Sequence, residues 1–341
     1  MQRVKDLPTP ALVVVQSVVE ENLAVMARAL PGERLRPHVK AHKSTDLARR
    51  QREHGHLGFT AATIREVEGL HLAGLAQDVL LANEVIDARR IGALVSDGAR
   101  VTLAVDSKET IDAASAGGVR EVLIDINVGL PRCGCQPERA GELAAYATSR
   151  RLEVRGVMGY EGHLMFVEDP TERLDSVRSS MEKLAYAHDL VGGEVVSSGG
   201  TGTYLEHLEL GVASEVQAGS YPLMDSAYTK VRSEFAQALW LVDSVISVSD
   251  EGWAVANSGL KSHGMDHGNP GLMGHDVWFL SDEHTVFSND ENSHVNIGDR
   301  VAFVPAHVDP TVAMHEQMWL VEGISDDDRV LARWAVDLRH W

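Results

Sequence analysis

Short apolar runs rich in β-branched residues alternate, along the first two thirds of the chain, with longer polar stretches of helical period. In order the runs are RLRPHVK ending at Lys40, then 57–62, 79–83, 101–105, 121–128, 154–160, 194–200 and 214–223. Between them stand segments such as STDLARRQREHG, IREVEGLHLAG, KETIDAASAGG and PERAGELAAYATSRR. Their apolar residues recur every three or four positions, and several close on glycine as a helix C-cap does. A strand followed by a helix, repeated eight times, predicts an α/β fold of the (β/α)8 TIM-barrel type rather than an open doubly wound sheet.

Beyond residue 235 the pattern changes. VDSVISVSD, WAVANSG, DVWFL, HTVFS, RVAFVPA, QMWLVEG and VLARWAVD read as strands joined by turns, without helices between them. That predicts a smaller all-β C-terminal domain. The division expected is a barrel over 10–235 and a β domain over 236–341, with the early strand ALVVV joined to the second.

Composition narrows the function classes. Of 341 residues, 44% are hydrophobic and 24% charged, so the chain can bury a substantial core. Lys and Arg number 31 against 50 Asp and Glu, a net charge of −19 that repels polyanions and argues against nucleic acid. No stretch approaches the roughly 20 apolar residues of a membrane span, so a soluble, cytoplasmic protein without a membrane partner is expected. Cys133 and Cys135 stand two positions apart with no second cysteine pair, which favours packing in a reducing compartment over a zinc site.

Barrel enzymes work at the C-terminal ends of their strands. The first strand leads to Lys40, where a lysine either makes a rim ion pair or, desolvated, forms a Schiff base. The seventh runs into Ser197, Ser198, Gly199, Gly200, Thr201, Gly202, Thr203 and Tyr204, and the eighth into Gly219, Ser220 and Tyr221. Glycines beside hydroxyl residues let backbone N–H groups converge on an anion, and barrels commonly bind phosphate with these two loops. A reactive lysine facing a phosphate loop points to pyridoxal 5′-phosphate.

These motifs, TPALVV, RPHVKAHK, INVGLPRCG, SSGGTGTY, EVQAGSYPLMD and GDRVAFVPAHVDPTV, span nearly the whole chain. Together they resemble the alanine-racemase-like (fold type III) pyridoxal-phosphate enzymes, and among them the D-threonine aldolase and D-serine dehydratase family. The resemblance implies that Lys40 is the Schiff-base lysine and that Arg132 stands near the phenolic oxygen of the cofactor. It implies that Tyr160 faces the pyridine ring, and that Ser198, Thr201, Gly202, Gly219, Ser220 and Tyr221 serve the phosphate.

His307 and Asp309 stand two positions apart, so on a strand both would leave the same face and could share one ion. Spacing alone favours a surface pair. The resemblance implies a divalent metal here, with His-x-Asp in the aldolases and His-x-Cys in the dehydratases. An imidazole and a carboxylate suit Mn²⁺, Mg²⁺ or Zn²⁺. The aldolases also carry a histidine as base shortly after the strand-six tyrosine. Here Tyr160-Glu161-Gly162-His163 displaces it, leaving His163 as base or as a ring stacked on the cofactor. Histidines in Lys261-Ser262-His263-Gly264-Met265-Asp266-His267 and at Glu283-His284 lie in turns of the β domain and read mostly as surface residues, the alternative being loops that line a pocket at a subunit contact.

The expected activity is a pyridoxal-phosphate- and metal-dependent lyase cleaving a D-3-hydroxy amino acid to glycine and an aldehyde. The alternative is a dehydratase giving a 2-oxo acid and ammonia. A non-catalytic pyridoxal-phosphate carrier is a third reading, against which the β domain and the His-x-Asp pair argue. A homodimer is expected.

Overall fold

In the computed structural model, which describes residues 2–291 and 293–341, strand β1 (Ala11–Val15) precedes seven short parallel strands paired in chain order. These are β2 (Phe59–Ala61), β3 (Val79–Leu81), β4 (Val101–Val105), β5 (Glu121–Asp125), β6 (Glu153–Gly159), β7 (Val195–Ser198) and β8 (Glu215–Val216). An eighth staves the sheet closed without forming a regular strand. Leu35 bridges Val216 on one side and His38 bridges Thr60 on the other. The supporting bonds run from Arg36 N to Val216 O (2.9 Å), His38 N to Ala218 O (3.0 Å) and Thr60 N to Pro37 O (2.9 Å). Pro37 has no N–H to give, which limits this segment to isolated bridges.

Period-two alternation sorts the strand residues into two layers. Leu80, Ala104, Leu123, Met158 and Val195 pack inside the barrel. Val79, Leu81, Val101, Leu103 and Ile124 face outward onto helix residues such as Ile91, Ile111, Leu143 and Leu184. Helix boundaries follow local chemistry: Ser107 caps Lys108–Gly117 with Thr110 completing a capping box, and Gly118 ends it in the left-handed region at φ +89°.

The N-terminal ends of the strands carry an ionic lattice built around the buried side chains of Arg36, Arg155 and Glu215. Arg36 pairs with Glu215 (2.8 Å) and Asp78 (3.0 Å), and Arg155 with Asp78 (3.1 Å) and Glu194 (3.1 Å). A cavity of about 470 Å³ opens at this end. Arg36, Arg155, Asp78, Glu194 and Glu215, which line it, are paired with one another, and it lies at the face that barrel enzymes use for stability rather than catalysis.

The contacts divide the chain into two units. The barrel unit comprises Met26–Lys40, Ala48–Gly219 and Leu338–Trp341, and the sheet unit Met1–Val25, Ala41–Leu47 and Ser220–Asp337. The chain changes unit after Gly219. Residues 220–235 join the sheet unit through packing of their own: Tyr221 and Phe235 lie 5.8 Å apart, and Asn22 Nδ2 donates to Pro222 O (3.2 Å) and Ala236 O (2.8 Å).

In the sheet unit, β9 (Leu239–Ser249), β10 (Trp253–Ala256), β11 (Gly271–Leu272), β12 (Val277–Leu280), β13 (Thr285–Ser288), β14 (Arg300–Val304), β15 (Gln317–Val321) and β16 (Val330–Ala335) follow. The order is β12-β13-β10-β9-β1-β15-β16, with β14 on β9 and β11. Strand β1 belongs to this sheet, antiparallel to β9 and parallel to β15. Its Val13 joins Val4, Leu7, Ala11, Val242 and Val321 in one apolar cluster. The expectation of strands without helices is corrected at Val308–Met314, a helix between β14 and β15. Among the described residues no helix is long and apolar enough to cross a membrane.

Candidate active site

Lys40 occupies a 3-10 turn, Val39–Ala41, just beyond the last bridge at His38. The strand therefore stops short of it and the turn presents it. Its Nζ lies 5.4 Å from the centroid of the Tyr160 ring, and Arg132 Cζ lies 5.4 Å from the same centroid. Tyr160 is the first residue after β6. An amine and a guanidinium thus converge on one phenol at the C-terminal end of a barrel strand, within cation–π range.

The loop after β7 packs against the loop after β6. Ser198 is fully buried and donates to Gly159 O (2.6 Å) and to the Glu161 carboxylate (3.0 Å). Thr201 is also buried. Gly199 has φ +80°, open to glycine at little cost, and a Cβ at Gly202 would stand 2.1 Å from Met165 O. The turn can close only because these positions lack side chains. Gly219 ends the barrel unit. Ser220 and Tyr221 open the next stretch of the sheet unit: Tyr221 is fully buried, and Ser220 O accepts from Leu223 N (3.2 Å) and Met224 N (2.9 Å).

His163 lies in the 3-10 turn Gly162–Leu164 and is exposed. Its Cε1 and Nε2 are 3.1 Å from where a Cβ on Gly129 would be, which sets the ring against the INVGLPRCG segment. Burial, with the nearby Glu84 carboxylate at Cys133 and Asp125 at Cys135, pushes both thiols up to about 12.

An amine and a guanidinium on one aromatic ring, with a glycine-and-hydroxyl loop whose turn a Cβ would fill, form a donor set that fits pyridoxal 5′-phosphate.

In the sheet unit His307 is the N-cap of the helix Val308–Met314 and Asp309 lies in its first turn, not on a strand. Pro310 is at the third helical position, where its missing N–H costs nothing, so PAHVDPTV starts a helix rather than extending β14. The two side chains meet nonetheless, His307 Nε2 lying 3.7 Å from Asp309 Oδ2. That separation is long for a hydrogen bond and suits two ligands of one ion. Asp266 accepts from His307 Nδ1 at 2.7 Å, and the His267 ring stacks on His307 with centroids 4.0 Å apart and planes 10° apart. Ligand atoms of Asp266, His267 and His307 all lie within 4.8 Å of one another. Asp266 and His267 are exposed turn residues, as the sequence reading expects, but they stand beside His307, from which the chain separates them by about 40 residues; His263 departs from that reading, being buried. Below the helix, Asp225 accepts from Val308 N (2.8 Å) and Tyr228 N (2.8 Å), and burial raises its carboxyl to about 6. Imidazole and carboxylate groups in this arrangement fit a divalent cation of the Mn²⁺, Mg²⁺ or Zn²⁺ type.

Residues 16–226 match the family model described as "Alanine racemase, N-terminal domain", and residues 238–321 that described as "Putative serine dehydratase domain". The chain is 32% identical to a 3-hydroxy-D-aspartate aldolase of Paracoccus denitrificans (strain Pd 1222), over 98% of this chain and 92% of that one. It is 31% identical to a D-threo-3-hydroxyaspartate dehydratase of Delftia sp. (strain HT23), over 77% of this chain and 74% of the other. A crystal structure of D-threonine aldolase from Filomicrobium marinum superposes with a TM-score of 0.91 at 30% identity, covering 98% and 96% of the two chains. By sequence along nearly its whole length and by fold, the chain belongs to the alanine-racemase-like family of the D-threonine aldolases and D-serine dehydratases.

Proposed function

We propose that this chain is a pyridoxal-phosphate- and divalent-metal-dependent lyase that cleaves a D-3-hydroxy amino acid by a retro-aldol reaction, releasing glycine and an aldehyde. The observation that carries the reading is the convergence of Lys40 and Arg132 on the Tyr160 ring. Bound there, the cofactor supplies an electron sink for the bonding pair released at the substrate's Cα. Lys40 provides the amine that anchors it, Arg132 keeps a cation beside its phenolic oxygen, and Tyr160 faces its ring. Thr201, Gly202, Gly219, Ser220 and Tyr221 serve its phosphate, while Ser198, whose hydroxyl is engaged by Gly159 O and Glu161, braces the loop that carries them.

His307 and Asp309 would hold a divalent metal ion, which would supply Lewis acidity to the reaction. Asp266, accepting from Nδ1, fixes the tautomer in which Nε2 offers its lone pair toward Asp309. His163 is the candidate base for the β-hydroxyl proton. Once that proton has gone, the Cα–Cβ bond breaks to give the aldehyde.

The dehydratase reading stays in view because of the 31% identity to the Delftia enzyme. Against it stands Asp309, a carboxylate where the resembling dehydratases carry a thiolate. D-threonine, D-phenylserine, D-serine and D-3-hydroxyaspartate, each assayed for glycine, ammonia and 2-oxo acid, separate the two. Glycine from at least one of them supports the aldolase; ammonia and 2-oxo acid with no aldehyde from every one of them replaces it with the dehydratase.

A further inference from the structure

Glu161 is a fully buried carboxylate that neither the anchoring amine nor the metal pair accounts for. It follows Tyr160 directly and sits under the loop after β7. Four donors converge on it: Ser198 Oγ (3.0 Å), Gly199 N (3.3 Å), Thr203 Oγ1 (2.6 Å) and His207 Nε2 (2.7 Å). Ser198 and Gly199 precede Gly200-Thr201-Gly202 in the chain, while Thr203 and His207 follow it. One carboxylate therefore ties both flanks of that turn. Thr203 N donates to Gly200 O (3.2 Å) and closes the turn between them. The loop has no slack on its inner side, since a Cβ at Gly199 would stand 2.7 Å from the His207 ring and one at Gly200 2.8 Å from Met165 Sδ.

A buried carboxylate is costly unless paired and hydrogen-bonded, and this one has both remedies. Burial works against its charge, but His207 together with the hydroxyl and amide donors holds it down to about 2, so it is ionised at neutral pH. A negative charge is a poor neighbour for a phosphate. Its presence under an anion loop has a use if it acts by geometry, spending the flanking donors so that the turn keeps one shape.

We infer that Glu161 is the positioning residue of the phosphate loop, holding the Gly200-Thr201-Gly202 turn in the shape that receives the phosphate of pyridoxal 5′-phosphate. The inference rests on the cofactor reading above and adds to it the element that shapes the loop. Because Glu161 adjoins Tyr160, the same residue links the ring-facing phenol to the phosphate end.

The test compares two ligands that share ring and aldehyde but differ in the phosphate: pyridoxal 5′-phosphate and pyridoxal, each titrated by its absorbance change into wild-type protein and into Glu161→Gln and Glu161→Ala. The variants should lose at least about tenfold in affinity for pyridoxal 5′-phosphate, the order expected when a charge-assisted buried hydrogen bond is removed. Affinity for pyridoxal should stay within about twofold of wild type. Thr203→Val, which removes one flanking donor and leaves the carboxylate, should show the same selective loss in smaller degree and remains informative if Glu161→Ala fails to fold. Equal losses for both ligands, or no loss for either, would overturn the inference while leaving the cofactor reading intact. A wild-type protein without preference for the phosphorylated ligand would overturn both.

Discussion

The Asp266 carboxylate accepts a hydrogen bond from His307 Nδ1 at 2.7 Å, and this contact turns the opposite edge of the ring, Nε2, toward Asp309 at 3.7 Å. A histidine that gives one nitrogen to a carboxylate offers the other as a lone pair in fixed direction. Asp266 is 41 residues away in sequence, which is why spacing revealed only half of the arrangement.

Asp266→Asn should keep the sheet unit folded and weaken Mn²⁺ binding by about 10- to 100-fold, the usual effect of losing a ligand's orienting partner. Titration of Mn²⁺ followed by electron paramagnetic resonance measures it. Unchanged affinity would mean that Asp266 does not orient His307.

Chelation should separate the two groups. Stripping the metal should abolish turnover while the cofactor's absorbance remains, because the proposed reading assigns His307 and Asp309 to the β-oxygen and Lys40 to the cofactor. His307→Ala and Asp309→Ala should behave alike. Full activity in chelated protein would make the pair structural.

The barrel's stability should depend on its lower lattice. The side chains of Arg36 and Glu215 are 7% and 8% exposed, so removing the guanidinium strands a carboxylate away from water. Arg36→Ala should cost about 3–5 kcal/mol, the scale for breaking a buried pair from one side, read from urea unfolding. The exposed pair Arg89–Asp87 supplies a control, and Arg89→Ala should leave the midpoint unchanged.

A pH dependence follows from Asp243, buried in the sheet unit, where burial raises the carboxyl to about 8 despite a hydrogen bond from Ser258. Its native value lies above the ordinary 3.8, so folding favours the protonated form. The contribution is complete below pH 3.8 and is lost as pH rises through about 8. The melting temperature should fall between pH 5 and pH 9, and Asp243→Asn, which cannot ionise, should flatten that decline. Identical slopes in the two proteins would refute the assignment.

Most of the barrel was legible because each unit repeats one pattern: a β-branched run, a turn, a helical period. The exception is instructive. Residues 35–38 complete the barrel, yet Pro37 reduces them to bridges and leaves Lys40 in a turn rather than on a strand. Pro310 misled in the opposite direction: GDRVAFVPAHVDPTV looks strand-like throughout, while a proline early in a helix is compatible with helix entry. Glu161 escaped notice for another reason. Its role lies in four donors drawn from the end of β7, the loop after it and the helix beyond, which no local spacing records.

The most direct test of the account is where the cofactor attaches. Borohydride reduction of the pyridoxal-phosphate-loaded protein, followed by peptide mapping, should place the label on Lys40, whose Nζ lies 5.4 Å from the Tyr160 ring centroid. Lys40→Ala should take up no label. A label on Lys43, or protein that carries none after loading, would contradict it.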